Sequence, residues 1–192
     1  MRSFSHILMT AGLAKNKKLA KAKYISFVAG SLLPDLPLIA LSSSLFLRNT
    51  NTAKAHEIMH YNFENNSLWI ILHNTPHSLV VLLALLALGY FLKRNKSGDW
   101  LFWLILGALI HTVIDIFTHY SDGPRFLFPL SWTIRFLSPV SYWDPNHYGR
   151  IFSIFEYLFD FSLLLYLLKD YFKKNFKKIK ELYRSFTKAL FQ

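Results

Sequence analysis

The chain has 192 residues, of which 53% are apolar and 17% aromatic, and its formal net charge is +11. An apolar content this high is unusual for a soluble domain, so the composition indicates a membrane protein. The sequence contains no cysteine. Disulfides and thiolate metal sites are therefore excluded, and any metal must be held by imidazole and carboxylate groups.

Four apolar segments are each long enough to cross the hydrocarbon core of a bilayer: 24–47, 68–92, 100–118 and 151–172. Basic residues cluster before, between and after them, with five in 15–23, three in 93–96 and eight from residue 169 onward. These three clusters hold 16 of the 22 lysines and arginines. Four membrane crossings place all three on the same, cytoplasmic side, as the positive-inside rule requires. The sequence thus predicts an all-α, multi-pass helical bundle in a membrane, with residues 48–67 and 119–150 outside.

Two further helices are expected at the ends of the chain. The apolar stretch 5–14 precedes its lysines, the reverse of a cleavable signal, so we expect it to remain as a short re-entrant helix. The tail 169–192 alternates lysines with apolar residues at helical spacing, which predicts a basic amphipathic helix on the anionic inner leaflet. Its apolar stripe comprises Phe172, Phe176, Ile179, Tyr183, Phe186 and Leu190. Residues 1–168 then form a membrane domain, and the positive charge is assigned to lipid headgroups rather than to nucleic acid.

The third apolar segment contains GALIHTVIDIFTHYSDG, which places His111 and Asp115 one helical turn apart on one face. His119 and Asp122 continue that face outward. Each ionisable residue within a membrane costs roughly 2.5–3.5 kcal/mol, so the pair needs an explanation. The two residues can chelate one metal ion, or they can hydrogen-bond to each other within a packed bundle.

Two motifs containing proline occur in the other segments. HNTPHS places His73 and His77 four residues apart, and Pro76 between them predicts a kink or a helix start. These histidines are either metal ligands or polar residues at a helix start that Thr75 caps. GSLLPDLPL places Asp35 between two prolines inside an apolar run, where lipid tolerates a simple turn poorly.

Helical rise places six ionisable side chains at similar depths, roughly 14–24 Å from the nearest cytoplasmic charge. They are His6, Asp35, His77, His111, Asp115 and Glu156. Around one or two divalent cations, carboxylates and neutral imidazoles would satisfy each other, whereas unpaired they would be very costly. We therefore predict a metal site with these six ligands. The ligand types suit zinc, iron, manganese or nickel, and the expected cofactor is a divalent metal, with zinc ranked first.

The segment 119–150 is rich in aromatic residues and prolines and is expected to cover the outer mouth of the site. Some of its polar side chains would grip an anionic substrate or support the metal ligands: Arg125, Arg135, Asp144, His147 and Arg150. Alternatively, the segment is an ordinary interfacial belt, since tryptophan and tyrosine concentrate at membrane surfaces.

The order of these motifs resembles the YdjM-like (LexA-regulated) family of membrane-bound metal-dependent hydrolases. The family pattern is an N-terminal His, G-x-x-x-P-D, T-x-H-S and H-x-x-x-D. It appears here as His6, GSLLPD ending at Asp35, TPHS around His77, and HTVID from His111 to Asp115. The resemblance extends to about residue 160 and includes SPVSYWDPNHYG, which precedes Glu156. It implies a multi-pass protein of the bacterial inner membrane.

That family is loosely similar to zinc-dependent phospholipase C, an all-helical enzyme. The similarity implies that His6, Asp35, His77, His111 and Asp115 are metal ligands, with Glu156 as a further one. It also implies a hydrolase, and we expect a phosphoester or ester of a lipid-like substrate to be cleaved with Asp35 or Asp115 as general base.

Two other functions remain open from the sequence. The intramembrane groups could relay a cation or protons in a transporter, or they could only fix helix packing in a non-catalytic scaffold. The sequence has no Walker loop, dinucleotide fingerprint or serine nucleophile elbow, so these chemistries are not predicted. The expected partners are the lipid bilayer, anionic headgroups that bind the tail, and the lipid-like substrate, with no nucleic acid.

Overall fold

A computed structural model describes residues 1–94 and 99–190, with side chains for all of these except 94 and 182–190. Within these ranges the chain forms eight α-helices and no strand, which confirms the all-α prediction. They are α1 (Ser3–Asn16), α2 (Lys21–Leu32), α3 (Leu36–Arg48), α4 (Thr52–Asn65), α5 (Ser67–Asn74), α6 (Leu79–Arg94), α7 (Asp99–Thr118) and α8 (Gly149–Leu190).

Three helical stretches of the described chain are long and apolar enough to cross a membrane. They are Lys21–Arg48, Asp99–Thr118 and Gly149–Glu181. A fourth span arises if α5 and α6, which meet at a bend of 42°, are counted together. These stretches coincide with the four predicted segments, so the multi-pass bundle is confirmed.

Two of the four spans are broken where prolines interrupt helical hydrogen bonding. A short 3-10 turn, Leu33–Asp35, contains Pro34 and joins α2 to α3. Pro76 lies between α5 and α6, which confirms the predicted kink. The Ser78 hydroxyl then accepts from Val81 N at 3.1 Å and caps the start of α6. Each break carries a polar residue, Asp35 or His77, into the protein interior.

α2 and α7 cross with their backbones in close contact because two glycines face the opposing helix. A Cβ atom added to Gly30 would lie 1.9 Å from the Leu104 carbonyl oxygen, and one added to Gly107 would lie 2.1 Å from that of Phe27. Small residues permit such close approach between membrane helices. The crossing brings the Ser31 carbonyl within reach of His111.

α1 packs against α2 and α8, and its first turn buries two polar residues, Ser5 and His6. Arg2 Nη1 donates to Glu156 Oε2 of α8 at 2.8 Å. The Ser5 hydroxyl lies 2.8 Å from Glu156 Oε1 and 2.7 Å from Asp160 Oδ2. At the other end of α1, Lys15 pairs with Asp170 at 2.8 Å. These contacts align α1 along α8 and hold its N-terminus in the bundle.

The basic ends of the helices meet at one end of the bundle. Lys23 at the start of α2 lies 2.9 Å from Asp99 of α7, and Lys93 at the end of α6 lies 3.9 Å from the same carboxylate. This arrangement agrees with the topology that the charge clusters predict. Lys96, which belongs to the second basic cluster, lies outside the described residues.

α8 is one unbroken helix of 42 residues, about 63 Å long. It passes the proposed domain boundary after residue 168 without interruption, so the tail continues the last span. Phe172, Phe176 and Ile179 are exposed. The remaining residues of the predicted apolar stripe, Tyr183, Phe186 and Leu190, have side chains outside the described part. Contact of this tail with the inner leaflet stays a prediction.

A further helix, α4, lies in the outer segment 48–67. Asn51 caps its start by accepting from Lys54 N at 3.1 Å, and Asn66 ends it and caps α5. Residues 119–148 contribute only a short 3-10 turn, Pro145–His147, and are otherwise irregular. α4 and residues 119–148, here called the outer cover, lie at the end of the bundle opposite the basic clusters.

Candidate metal centre

Four side chains converge where the two broken spans meet α7. Asp35, His77, His111 and Asp115 each offer one ligand atom, and these atoms all lie within 4.8 Å of one another. His77, His111 and Asp115 are buried, whereas the Asp35 side chain is 15% exposed. These four residues are called the ligand cluster. The 3-10 turn, the α5–α6 break and one face of α7 bring them together.

Backbone contacts fix the tautomers of the two clustered histidines. His77 Nδ1 lies 2.8 Å from the His73 carbonyl oxygen, and His111 Nδ1 lies 2.6 Å from that of Ser31. A carbonyl oxygen can only accept, so both Nδ1 atoms carry the ring proton and donate. In the neutral imidazoles, both Nε2 atoms therefore present lone pairs to the ligand cluster.

Those lone pairs face carboxylate oxygens. His111 Nε2 lies 3.1 Å from Asp115 Oδ2 and 3.5 Å from Asp35 Oδ1, and His77 Nε2 lies 3.8–3.9 Å from the same two oxygens. Neither Nε2 atom has a hydrogen-bond partner. Lone pairs that face each other in a buried space repel unless a cation or a proton lies between them. Two imidazoles and two carboxylates are a donor set that divalent transition metals accept, and an Nδ1–H bond to a carbonyl is the usual support of a histidine ligand.

His6 adjoins the ligand cluster through Asp115. Its Nε2 lies 2.9 Å from Asp115 Oδ1, and its ring stacks on His111 with the centroids 3.8 Å apart. The Met1 amino group donates to the same oxygen at 2.9 Å and to Thr118 Oγ1 at 2.8 Å. One oxygen of Asp115 thus faces the ligand cluster while the other is held by the start of the chain.

Glu156 lies elsewhere. Its carboxylate accepts from the Arg2 backbone amide at 2.7 Å, as well as from the Arg2 guanidinium and the Ser5 hydroxyl. Of the six predicted ligands, the structure brings Asp35, His77, His111 and Asp115 into one cluster, places His6 beside it and leaves Glu156 at the α1–α8 contact. Their roles as metal ligands stay predictions.

Several polar groups near the ligand cluster were not among the predicted ligands. His119 continues the α7 face, with Nε2 3.7 Å from Asp115 Oδ1 and Nδ1 3.3 Å from Asp122 Oδ2. The i+4 spacing from Asp115 was the signal for it. His73 is buried, its ring centroid lies 4.3 Å from that of His77, and its Nδ1 has no hydrogen-bond partner. The Ser3 hydroxyl donates to Asp35 Oδ2, a contact that no sequence pattern indicates.

A cavity of about 560 Å³ opens from the ligand cluster toward the outer cover. α3 and α4 contribute both apolar and polar side chains to its lining: Leu38, Ile39, Ser42, His56, Met59, His60 and Phe63. The outer end of α7 and the outer cover add His119, Asp122 and Tyr142. Burial, together with the Asp122 and Asp115 carboxylates, raises the pKa of Tyr142 to about 12. Its phenol therefore stays protonated and able to donate at neutral pH.

Residues 124–128 of the outer cover are joined directly to the α5–α6 break. Arg125 N donates to the Asn74 side-chain oxygen at 2.7 Å, and Leu79 N donates to the Phe126 carbonyl at 2.9 Å. The Ser78 hydroxyl donates to the Phe128 carbonyl. The segment that carries His77 is thus braced from outside.

Comparison with known proteins gives one match. Residues 1–177 match the family described as YdjM inner membrane protein. Neither the curated proteins nor the solved structures include a significant match. The matched range contains all four residues of the ligand cluster, the outer cover and most of α8. The chain therefore belongs to the YdjM inner membrane protein family.

Proposed function

We propose that this protein is a membrane-bound, metal-dependent hydrolase that cleaves a phosphoester or ester bond of a lipid-like substrate. The observation that carries the proposal is the pair of imidazole Nε2 atoms that face two carboxylates without a hydrogen-bond partner. A divalent cation in such a donor set, with zinc ranked first, acts as a Lewis acid and lowers the pKa of water.

Asp35 is better placed than Asp115 to act as general base. Asp115 is buried, and both of its oxygens face fixed partners: His111 on one side, His6 and the Met1 amino group on the other. The Asp35 side chain is partly exposed and lines the cavity. The Ser3 hydroxyl orients its carboxylate. Asp35 can thus take a proton from water in the cavity, while Asp115 holds the ligand cluster together.

The cavity supports an amphiphilic substrate because apolar and polar side chains both line it. An acyl or other apolar chain would pack against Leu38, Ile39 and Phe63, while the polar end would meet Asp35 and Tyr142. Several apolar side chains of α3, including Leu36 and Ile39, are exposed on a helix that the sequence places in the membrane. A substrate dissolved in the bilayer could therefore reach the cavity from lipid.

Transport is the main competing function, and it requires access to the site from both ends of the bundle. Toward the basic end, the described residues Leu82, Ile105 and Ala108 form a packed apolar core one to two turns from the ligand cluster. The close α2–α7 crossing adds to this barrier. Among the described residues, the cavity reaches the outer cover and is closed toward the basic end, which favours hydrolysis.

The test is turnover of amphiphilic phosphoesters and esters by the purified, metal-loaded protein. Asp35→Asn should lower kcat at least 100-fold, since general bases typically contribute 10²- to 10⁴-fold. Glu181→Gln, which removes an exposed carboxylate of α8 that does not line the cavity, should leave turnover unchanged. The hydrolase proposal fails if metal-loaded wild type cleaves no substrate of the panel, and metal flux into proteoliposomes would then favour transport.

A further inference from the structure

Two arginines of the outer cover share a single carboxylate from α4. Arg125 Nη2 lies 3.1 Å from Glu64 Oε2. Arg135 contacts both oxygens, with Nη2 3.1 Å from Oε2 and Nη1 2.9 Å from Oε1. The two arginine side chains are 9% and 14% exposed, whereas Glu64 is 44% exposed. Two largely buried positive charges therefore meet one half-exposed negative charge.

This cluster has more donors than Glu64 can satisfy. The Nε atoms of Arg125 and Arg135 are both buried and have no hydrogen-bond partner. Arg135 Nη1 also donates to the Ser121 carbonyl at 3.1 Å, but that neutral acceptor does not offset the second positive charge. A guanidinium presents five donors in a planar fork that suits oxyanions. A group with two negative charges and three or four oxygens matches the pair better than one carboxylate does.

The arginine pair lies close in the chain to residues that line the cavity. Phe63 and Pro124, the sequence neighbours of Glu64 and Arg125, both line it. Arg125 is also tied to the ligand cluster, because its backbone amide donates to Asn74 in the segment between His73 and His77. An anion bound by the arginines would therefore have a defined position relative to the ligand cluster.

Glu64 is easily displaced. Among the residues of α4, all of which the structure describes, Ala55 alone is buried, so the helix packs loosely on the bundle. Half-exposed ion pairs contribute little to stability because water and salt screen them. A competing oxyanion can thus replace the Glu64 carboxylate without disrupting the core of the protein.

We propose that Arg125 and Arg135 form a binding site for a phosphate group, and that Glu64 occupies this site as an internal competitor until a phosphate replaces it. This proposal deepens the proposed function, because it makes the substrate an amphiphile that carries a phosphate group. It rests on the proposed function, since the bound phosphate is part of a substrate only if the protein is a hydrolase. A lipid phosphate headgroup and free phosphate share the required chemistry.

The experiment measures binding in the absence of hydrolysis. Full-length protein carrying His111→Ala and Asp115→Asn is titrated in detergent with inorganic phosphate and, separately, with short-chain phosphatidic acid. Glu64→Gln in this background should tighten binding about five- to tenfold, the effect of removing a screened competitor. Adding Arg135→Gln should abolish that gain, and binding should weaken as ionic strength rises. Arg48→Gln, which removes an exposed arginine at the end of α3, is the matched control and should change nothing.

The two ligands separate the sources of phosphate. Tighter binding of phosphatidic acid than of inorganic phosphate assigns the site to a lipid headgroup, and equal binding assigns it to free phosphate. The assignment is wrong if Glu64→Gln binds neither ligand more tightly than its parent, or if the gain survives Arg135→Gln. Thermal unfolding of each variant shows that it is folded. Arg135→Lys keeps the positive charge but loses the planar guanidinium, so it should retain only part of the gain in phosphate affinity. Intact binding without any hydrolysis by metal-loaded wild type would refute the hydrolase proposal alone.

Discussion

The ligand cluster and the outer cover are held in place by different forces. Backbone carbonyls orient His77 and His111, and a close helix crossing supports His111. The outer cover depends largely on side-chain contacts near the surface, such as those of Glu64 with two arginines. The ligand cluster is thus built by helix packing, whereas half-exposed ion pairs help to hold the outer cover. Substitutions in the two regions should therefore have different consequences.

The largest effect is expected at the α2–α7 crossing. Gly107→Ala would place a methyl group 2.1 Å from the Phe27 carbonyl oxygen, so the helices must separate. We expect a loss of about 3 kcal/mol or more in the free energy of unfolding and a loss of metal binding, because His111 moves away from Ser31. Thermal unfolding and elemental analysis measure the two effects. Gly12→Ala, whose new methyl meets only the flexible end of Leu163 at 3.0 Å, is the control. Equal behaviour of both variants would show that the crossing does not build the site.

Removal of the metal should have the next largest effect. A ligand present at 100-fold excess over its Kd stabilises the folded state by about 2.7 kcal/mol, so a chelator should lower the unfolding temperature of wild type. The chelator should have no effect on a variant with His111→Ala and Asp115→Asn. If it lowers the unfolding temperature of both proteins equally, the stabilising ion binds elsewhere.

The link between the two regions should contribute less. Asn74→Ala leaves the buried Arg125 amide without its acceptor, which we expect to cost about 2 kcal/mol in the free energy of unfolding. Since Asn74 lies in the segment that carries His77, metal affinity should also fall. Asn65→Ala removes a similar but exposed side-chain contact, to the Tyr61 carbonyl, and serves as the control. Unchanged metal affinity in Asn74→Ala would mean that the outer cover does not brace the ligand cluster.

The smallest effect is expected for Trp143 in the outer cover, whose indole donates to Asp122 at 2.8 Å. Burial acts to raise the pKa of Asp122, but hydrogen bonds from His119 and Trp143 hold it below its usual value. Trp143→Phe should therefore raise the pKa of Asp122, which an NMR titration can follow. The variant should also lose about 1 kcal/mol or less in the free energy of unfolding. Its metal content should stay the same as that of wild type. A loss of metal from this variant would show that the Trp143–Asp122 contact also supports the ligand cluster, contrary to this expectation.

The sequence predicted the ligand cluster well because the signals for it are local. Helical rise is constant, so Asp35, His77, His111 and Asp115 could be assigned to one depth without knowledge of helix packing. The prolines beside Asp35 and His77 marked the two breaks where polar backbone enters the interior.

The depth of a residue in the membrane does not determine which side of its helix the side chain lies on. The contacts that depend on this could therefore not be predicted from the sequence. Glu156 was assigned the same depth as the others, yet it faces Arg2 and Ser5, because the partner of each α8 face depends on how α1 packs. α4 lacks a long apolar run, and the capping residues Asn51 and Asn66 were its main signal. The pairing of Glu64 with arginines 61 and 71 residues away depends on the fold of the outer cover, which no local pattern predicts.

The most direct test of the metal centre is elemental analysis of the detergent-purified protein, counted as metal atoms per chain. Wild type is compared with His111→Ala combined with Asp115→Asn, and with His147→Ala combined with Asp144→Asn. The second pair is a matched control, because this His and Asp also contact each other, at 2.7 Å, but lie in the outer cover. We predict one or more metal atoms in wild type and in the control, and none in the folded cluster variant. The assignment of the ligand cluster would be contradicted by either of two results. One is that wild type, purified without chelators and resupplied with metal ions, holds no metal. The other is that all three proteins hold equal amounts of metal.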